Sequence, residues 1–167
     1  MKNIILITIV LLFSVSCKAQ LNNLNETELF DGIKFNNISL RNIMNSKGNL
    51  TQMKVYFVND IQERPNDTAP YLAKFLWNNN ISFGFEDETD SGNNYDLTYI
   101  RVRNSSVIVN VKGLSIKIGD SRSKFGNYLF NENDSSYNFT DADTGSVGLS
   151  FKIDINNKVS AIELICF

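Results

Sequence analysis

The dominant pattern along the chain is alternation of apolar and polar residues. It runs through Ile81-Ser82-Phe83-Gly84-Phe85, Tyr99-Ile100-Arg101-Val102-Arg103 and Leu149-Ser150-Phe151-Lys152-Ile153-Asp154-Ile155. A period of two with β-branched or aromatic residues on one side predicts strands that bury one face. Phe83, Phe85, Ile100, Val102, Phe151, Ile153, Ile162 and Leu164 are then expected to fill one interior. Asn156-Asn157 separates the last alternating run from Val159-Ser160-Ala161-Ile162-Glu163-Leu164. Asn tolerates the positive φ of tight turns, so these two strands should form a hairpin. Residues 67 to 77 fit two periods: Asp67 and Pro70 ahead of helically spaced apolar residues read as a helix start, whereas Phe75 and Trp77 alternate ahead of Asn78-Asn79-Asn80 and read as a hairpin with the strand from Ile81. The hairpin is the reading adopted, because a repeat in the chain places a strand there.

That repeat has an offset of about 70 residues. Ile81-Ser82-Phe83-Gly84-Phe85 leading to Leu97-Thr98-Tyr99-Ile100 matches Leu149-Ser150-Phe151-Lys152-Ile153 leading to Ala161-Ile162-Glu163-Leu164. Upstream, Lys47-Gly48-Asn49 with Met53, Phe57 and Val58 matches Ile118-Gly119-Asp120 with Phe125, Leu129 and Phe130. In each copy Gly permits a sharp turn and Asn49 or Asp120 can cap a short helix. The expected fold is α+β: two tandem helix-plus-antiparallel-strand units forming one sheet, with short helices on one face.

The N-terminus follows a different pattern. Met1-Lys2-Asn3 precedes an apolar run from Ile4 to Phe13, too short for a bilayer core that needs roughly 20 residues. Small residues Ser14-Val15-Ser16 then lead to Cys17, the layout of a cleaved secretory signal. Ser14-Val15-Ser16-Cys17-Lys18-Ala19-Gln20 resembles the lipobox of bacterial lipoproteins of the Bacteroidetes type, with Ser14 where Leu is usual. The resemblance implies a Cys17 that is diacylated and becomes the mature N-terminus. It also implies outer-membrane sorting facing the periplasm, since Lys18 is not the inner-membrane retention Asp and no acidic export tag follows. Simple cleavage after Ala19, releasing a soluble secreted or periplasmic protein, is the alternative. The expected organisation is a signal peptide over 1–16, a lipidated N-terminus and linker over 17–32, a first unit over 33–103 and a second over 104–167.

Composition narrows the chemistry. Without Lys2 the chain carries 15 basic against 18 acidic residues, and no basic cluster suggests nucleic acid. There is no His, which removes the usual general base and the commonest transition-metal ligand. With Cys17 acylated, Cys166 is the remaining thiol, so no internal disulfide can form. Ser121-Arg122-Ser123-Lys124 fits S-x-x-K, but its companion motifs are missing and a helix turn capped by Asp120 explains it better. Asp87, Thr89 and Ser91 are spaced like calcium ligands, yet Thr98 stands where the bidentate Glu belongs, so a solvated turn is the preferred reading. No cofactor and no metal is implied. Thr68, in Asp67-Thr68-Ala69, matches a short bacterial O-glycosylation pattern.

The order apolar strand, Ile118-Gly119-Asp120-Ser121, short helix, then strands closing in Lys158-Val159-Ser160-Ala161-Ile162 resembles the unit of SmpA/OmlA-type outer-membrane lipoproteins. Two such units in tandem resemble the β-lactamase inhibitor protein fold, over residues 33 to 165. The resemblance implies a non-catalytic domain that binds another protein, often across an open sheet. The expected function is therefore a membrane-anchored protein-binding or inhibitory module, immunity-like in the sense of neutralising a toxin. An envelope assembly or structural role and a carboxylate-dependent glycan hydrolase are the alternatives. The strand face with Tyr99, Arg101 and Arg103 is the candidate contact surface, because aromatic and Arg side chains dominate interface energetics; a merely solvated strand face is the alternative.

Overall fold

The computed structural model describes residues 22–58, 60–66, 72–89 and 91–167. Cys17 and Thr68 lie outside them. Of the described residues 44% are strand and 18% helix, so the fold is richer in sheet than the balanced α+β arrangement expected from sequence.

An eight-stranded sheet runs in the order β1 (Asn23–Leu24), β10 (Ser136–Asp141), β11 (Val147–Ile153), β12 (Val159–Cys166), β7 (Asp96–Val102), β6 (Ile81–Asp87), β5 (Leu72–Trp77), β4 (Gln62–Asn66). Its middle is an antiparallel seam between β7 and β12, with Ile100 opposite Leu164 and Val102 opposite Ile162. Two meanders run outward from the seam, β6 and β5 on one side and β11 and β10 on the other. The stretch 72–77 is strand, hairpinned to β6 through Asn78, whose Oδ1 accepts from the Asn80 and Ile81 amides.

A second, four-stranded sheet joins the hairpin β2 (Lys34–Phe35) and β3 (Ile38–Ser39) to the hairpin β8 (Val109–Val111) and β9 (Leu114–Ile116). Lys34 faces Asn110 across its β2·β8 seam. Both hairpins turn on a pair of positive-φ residues, Asn36-Asn37 and Lys112-Gly113. Such pairs match the twist of the flanking strands.

One face of the large sheet is covered. α1 (Leu40–Asn45) buries Leu40 and Ile43, and α2 (Leu50–Phe57) buries Met53 and Phe57. Both are capped by side chains: Ser39 Oγ accepts from the Asn42 amide and Asn49 Oδ1 from the Gln52 amide. In the second half the expected helix is only a four-residue 3-10 turn, Arg122–Phe125. Its cap is Ser121, not Asp120, whose carboxylate accepts instead from the Lys117 amide and pairs with Lys124 at 2.9 Å. A roof of rings compensates for the missing helix. Phe125 stacks on Tyr137 at 4.0 Å and meets Phe151 edge-on at 5.2 Å, while Tyr128 meets Phe139 at 5.1 Å.

All eight expected core residues are buried. The strand read from Leu149 to Ile155 stops at Ile153. Asp154 Oδ1 takes the Asn156 and Lys158 amides and bends the chain, leaving Ile155 96% exposed in the turn. Val58 does not share the burial of Met53 and Phe57: it ends α2 with φ of 67° and is 76% exposed.

Candidate functional site

The other face of the large sheet carries the side chains that alternation points away from the core. On β7 the inward set is Leu97, Ile100 and Val102, and the outward set includes Tyr99 and Arg101. A bulge makes this phase shift possible: Gly84 pairs with Tyr99 and Phe85 with Leu97, so Thr98 is the extra residue. The Tyr99 ring lies over Gly84, where a Cβ would come within 2.3 Å of the ring, so only glycine lets the ring lie flat. Phe75 pairs with Gly84 from the other side, and its ring centroid is 6.3 Å from that of Tyr99.

Across the seam Tyr99 faces Ile165 and Arg101 faces Glu163. Arg101 Nε donates to Glu163 Oε1 at 2.8 Å. These residues, with Glu86, Glu88, Cys166 and Phe167, line a groove of about 520 Å³. Burial, opposed by the nearby Arg101 and Arg103, raises the Tyr99 phenol above its ordinary value, so it stays a neutral donor. Burial pushes the Cys166 thiol up to about 11, which keeps it protonated and a poor nucleophile at neutral pH.

Of the residues singled out from sequence, Tyr99 and Arg101 meet in this groove. Arg103 lies just beyond the end of β7, exposed, its amide bonded to the Asn80 carbonyl, and does not line the groove. The acid wall, Glu86, Glu88 and Glu163, was not anticipated. Its signal was present, since Glu163 sits one strand position from Ile162 and Leu164 and must point to the opposite face.

The Asp87 loop is a self-contained turn. The buried Asp87 carboxylate accepts from the Thr89 amide and hydroxyl, the Ser91 hydroxyl and the Asn93 and Asn94 amides. Led by the Thr89 hydroxyl, these bonds hold it well below the usual carboxylate range. No group of three or more Cys, Asp or Glu able to hold a metal occurs among the described residues. In the S-x-x-K segment, Lys124 gives its ammonium to Asp120, and Ser121 Oγ lies 2.9 Å from Ser123 Oγ. Lys124 is thus engaged by Asp120 and not by Ser121.

Among the described residues, fold and groove together define a sheet-rich domain with one sheet face roofed and the other uncovered, and with a groove on the uncovered face. No protein-family model matches the chain, and neither the curated proteins nor the solved structures give a match.

Proposed function

We propose that this is a lipid-anchored, non-catalytic protein-binding module of the bacterial envelope, which docks its partner on the open sheet face around Tyr99. The observation that carries the reading is the groove itself. It brings an aromatic ring and an Arg, residue types enriched in protein interfaces, next to an exposed aliphatic side chain on one sheet face. Within this reading the chain is two copies of one hairpin, helix and meander unit.

The seams support the duplication. The repeat equates Ile100 with Leu164, and these residues face each other across β7·β12. Aligning the two positive-φ turns equates Lys34 with Asn110, and these also face each other. Equivalent residues meet in this way on a two-fold axis. Tyr99 then corresponds to Glu163 and Arg101 to Ile165, so the scaffold repeats while the groove's side chains differ. An asymmetric groove on a symmetric scaffold admits a partner in one orientation. An inhibitory, immunity-like role uses such a surface directly.

Two experiments test the reading. Cys17→Ser should shift the protein from the membrane pellet to the soluble fraction, and a palmitate analogue should label the wild type alone. Affinity capture from the native envelope should recover a stoichiometric protein that is lost with Tyr99→Ala or Ile165→Asp. A partner retained by both variants places docking elsewhere. Turnover of a cell-wall glycan with no partner recovered would overturn the reading.

A further inference from the structure

We infer that the groove receives a cationic protein segment, in which Lys or Arg side chains flank an apolar one. This rests on the protein-binding reading and adds the partner's chemistry. The floor is apolar: Tyr99 faces Ile165, which is 42% exposed, and Phe167 beside them is 87% exposed. Leaving such surface in water is unfavourable, and an apolar side chain from a partner would cover it. The wall is acidic, with three carboxylates, Glu86, Glu88 and Glu163, against the guanidinium of Arg101 in the lining and that of Arg103, which acts on Tyr99 from beyond the end of β7.

Arg101 is already bonded to Glu163 at 2.8 Å, so its charge is matched within the groove. Neither Glu86 nor Glu88 takes part in an ion pair among the described residues. The excess charge is therefore negative and lies beside the Tyr99 ring, whose face itself attracts cations. Complementary potential sets both encounter rate and choice of partner. A segment bearing Lys or Arg next to Leu, Phe or Tyr satisfies wall and floor together, whereas acidic peptides and nucleic acid are repelled.

The test uses a random-peptide library displayed on phage, selected against the folded domain. Selected sequences should be rich in Lys or Arg beside an apolar residue. Their synthetic copies should bind about tenfold more weakly to Glu86→Gln/Glu88→Gln and more weakly at high salt. Arg101→Ala should bind them more tightly, because it frees Glu163, an effect that a merely structural role would not produce. Peptides lost on Ile165→Ser but indifferent to Glu86→Gln/Glu88→Gln would sink the charge assignment and leave the docking surface standing. If no selected peptide responds to Ile165→Ser or Tyr99→Ala, both fall.

Discussion

The two meanders are built alike but roofed differently. Over β5 to β7 the roof is regular backbone: α1 and α2 bring Leu40, Ile43, Met53 and Phe57, and Phe57 meets Phe83 at 4.9 Å. Over β10 to β12 it is a 3-10 turn and irregular chain carrying Phe125, Tyr128 and Phe130, with Arg122 lying 3.7 Å over the Phe130 ring. The same sheet surface can thus be sealed by helices or by rings. A helix satisfies its own amides and spreads burial over several aliphatic side chains. A ring roof concentrates burial in a few large side chains, and each becomes harder to replace.

The largest effects follow from that concentration. Phe151→Ala and Phe125→Ala should each cost about 3 to 5 kcal/mol, the usual loss for a buried aromatic. Met53→Ala in α2 should fall toward the lower end of about 2 to 5 kcal/mol, because its neighbours on two helices can close in. Urea denaturation of the three variants checks the order. A Met53→Ala loss larger than that of Phe125→Ala would show that the ring roof is the more adaptable one.

Acid sensitivity sharpens the comparison at the strand ends. Asp87 closes the loop after β6, and Asp141 closes the loop after β10 by accepting from the Asp143 amide and the Thr144 and Ser146 hydroxyls. Asp141, led by the Thr144 hydroxyl, is also lowered from its ordinary 3.8. A carboxylate whose folded value is lowered contributes stability that is complete above the unfolded value and is lost as pH falls through the folded one. The stability gap between wild type and Asp87→Asn should stay constant above about pH 5 and narrow below the ordinary Asp value. Asp141→Asn should behave in the same way with a smaller gap, because Asp87 is buried and holds more bonds. Chemical denaturation from neutral to acid pH measures both, and a gap that widens on acidification contradicts the assignment.

The caps give smaller effects. Asn49→Ala should cost about 1 kcal/mol and reduce helical circular dichroism, since it leaves the Gln52 amide without its acceptor. Ser121→Ala should cost less and leave the spectrum unchanged, because only one 3-10 turn depends on it.

Strands whose side chains report burial directly were legible in the sequence. Phe83, Phe85, Phe151 and Leu164 sit at period two, and the turn residues Asn78 and Asn157 mark the hairpins between them. The second sheet was not legible, because β2 and β3 are two residues each and too short to show a period; only Asn36-Asn37 and Lys112-Gly113 signalled it. The second helix is shorter than the sequence pattern predicts. Apolar spacing through Phe125, Leu129 and Phe130 fits a helix, but Gly126 at φ of 56° breaks it and leaves Leu129 46% exposed. For the groove, alternation told which way Tyr99 and Arg101 point. That Arg101 would be tied to Glu163 depends on β7 pairing with β12, a long-range choice no local pattern encodes.

The smallest expected effect separates stability from recognition. Arg101 and Glu163 are 61% and 32% exposed, so water screens their ion pair and holding two long side chains together costs entropy. A double-mutant cycle with Arg101→Ala and Glu163→Ala should give a coupling of about 0.2 to 1 kcal/mol in unfolding free energy. The two substitutions should act in opposite directions on binding of a cationic peptide, since one removes the groove's positive charge and the other a negative one. A pair that matters little to folding yet moves affinity both ways would mark the seam as a recognition surface. A coupling of several kcal/mol would instead make this pair a structural clamp between the two meanders, with the open face shaped by folding alone.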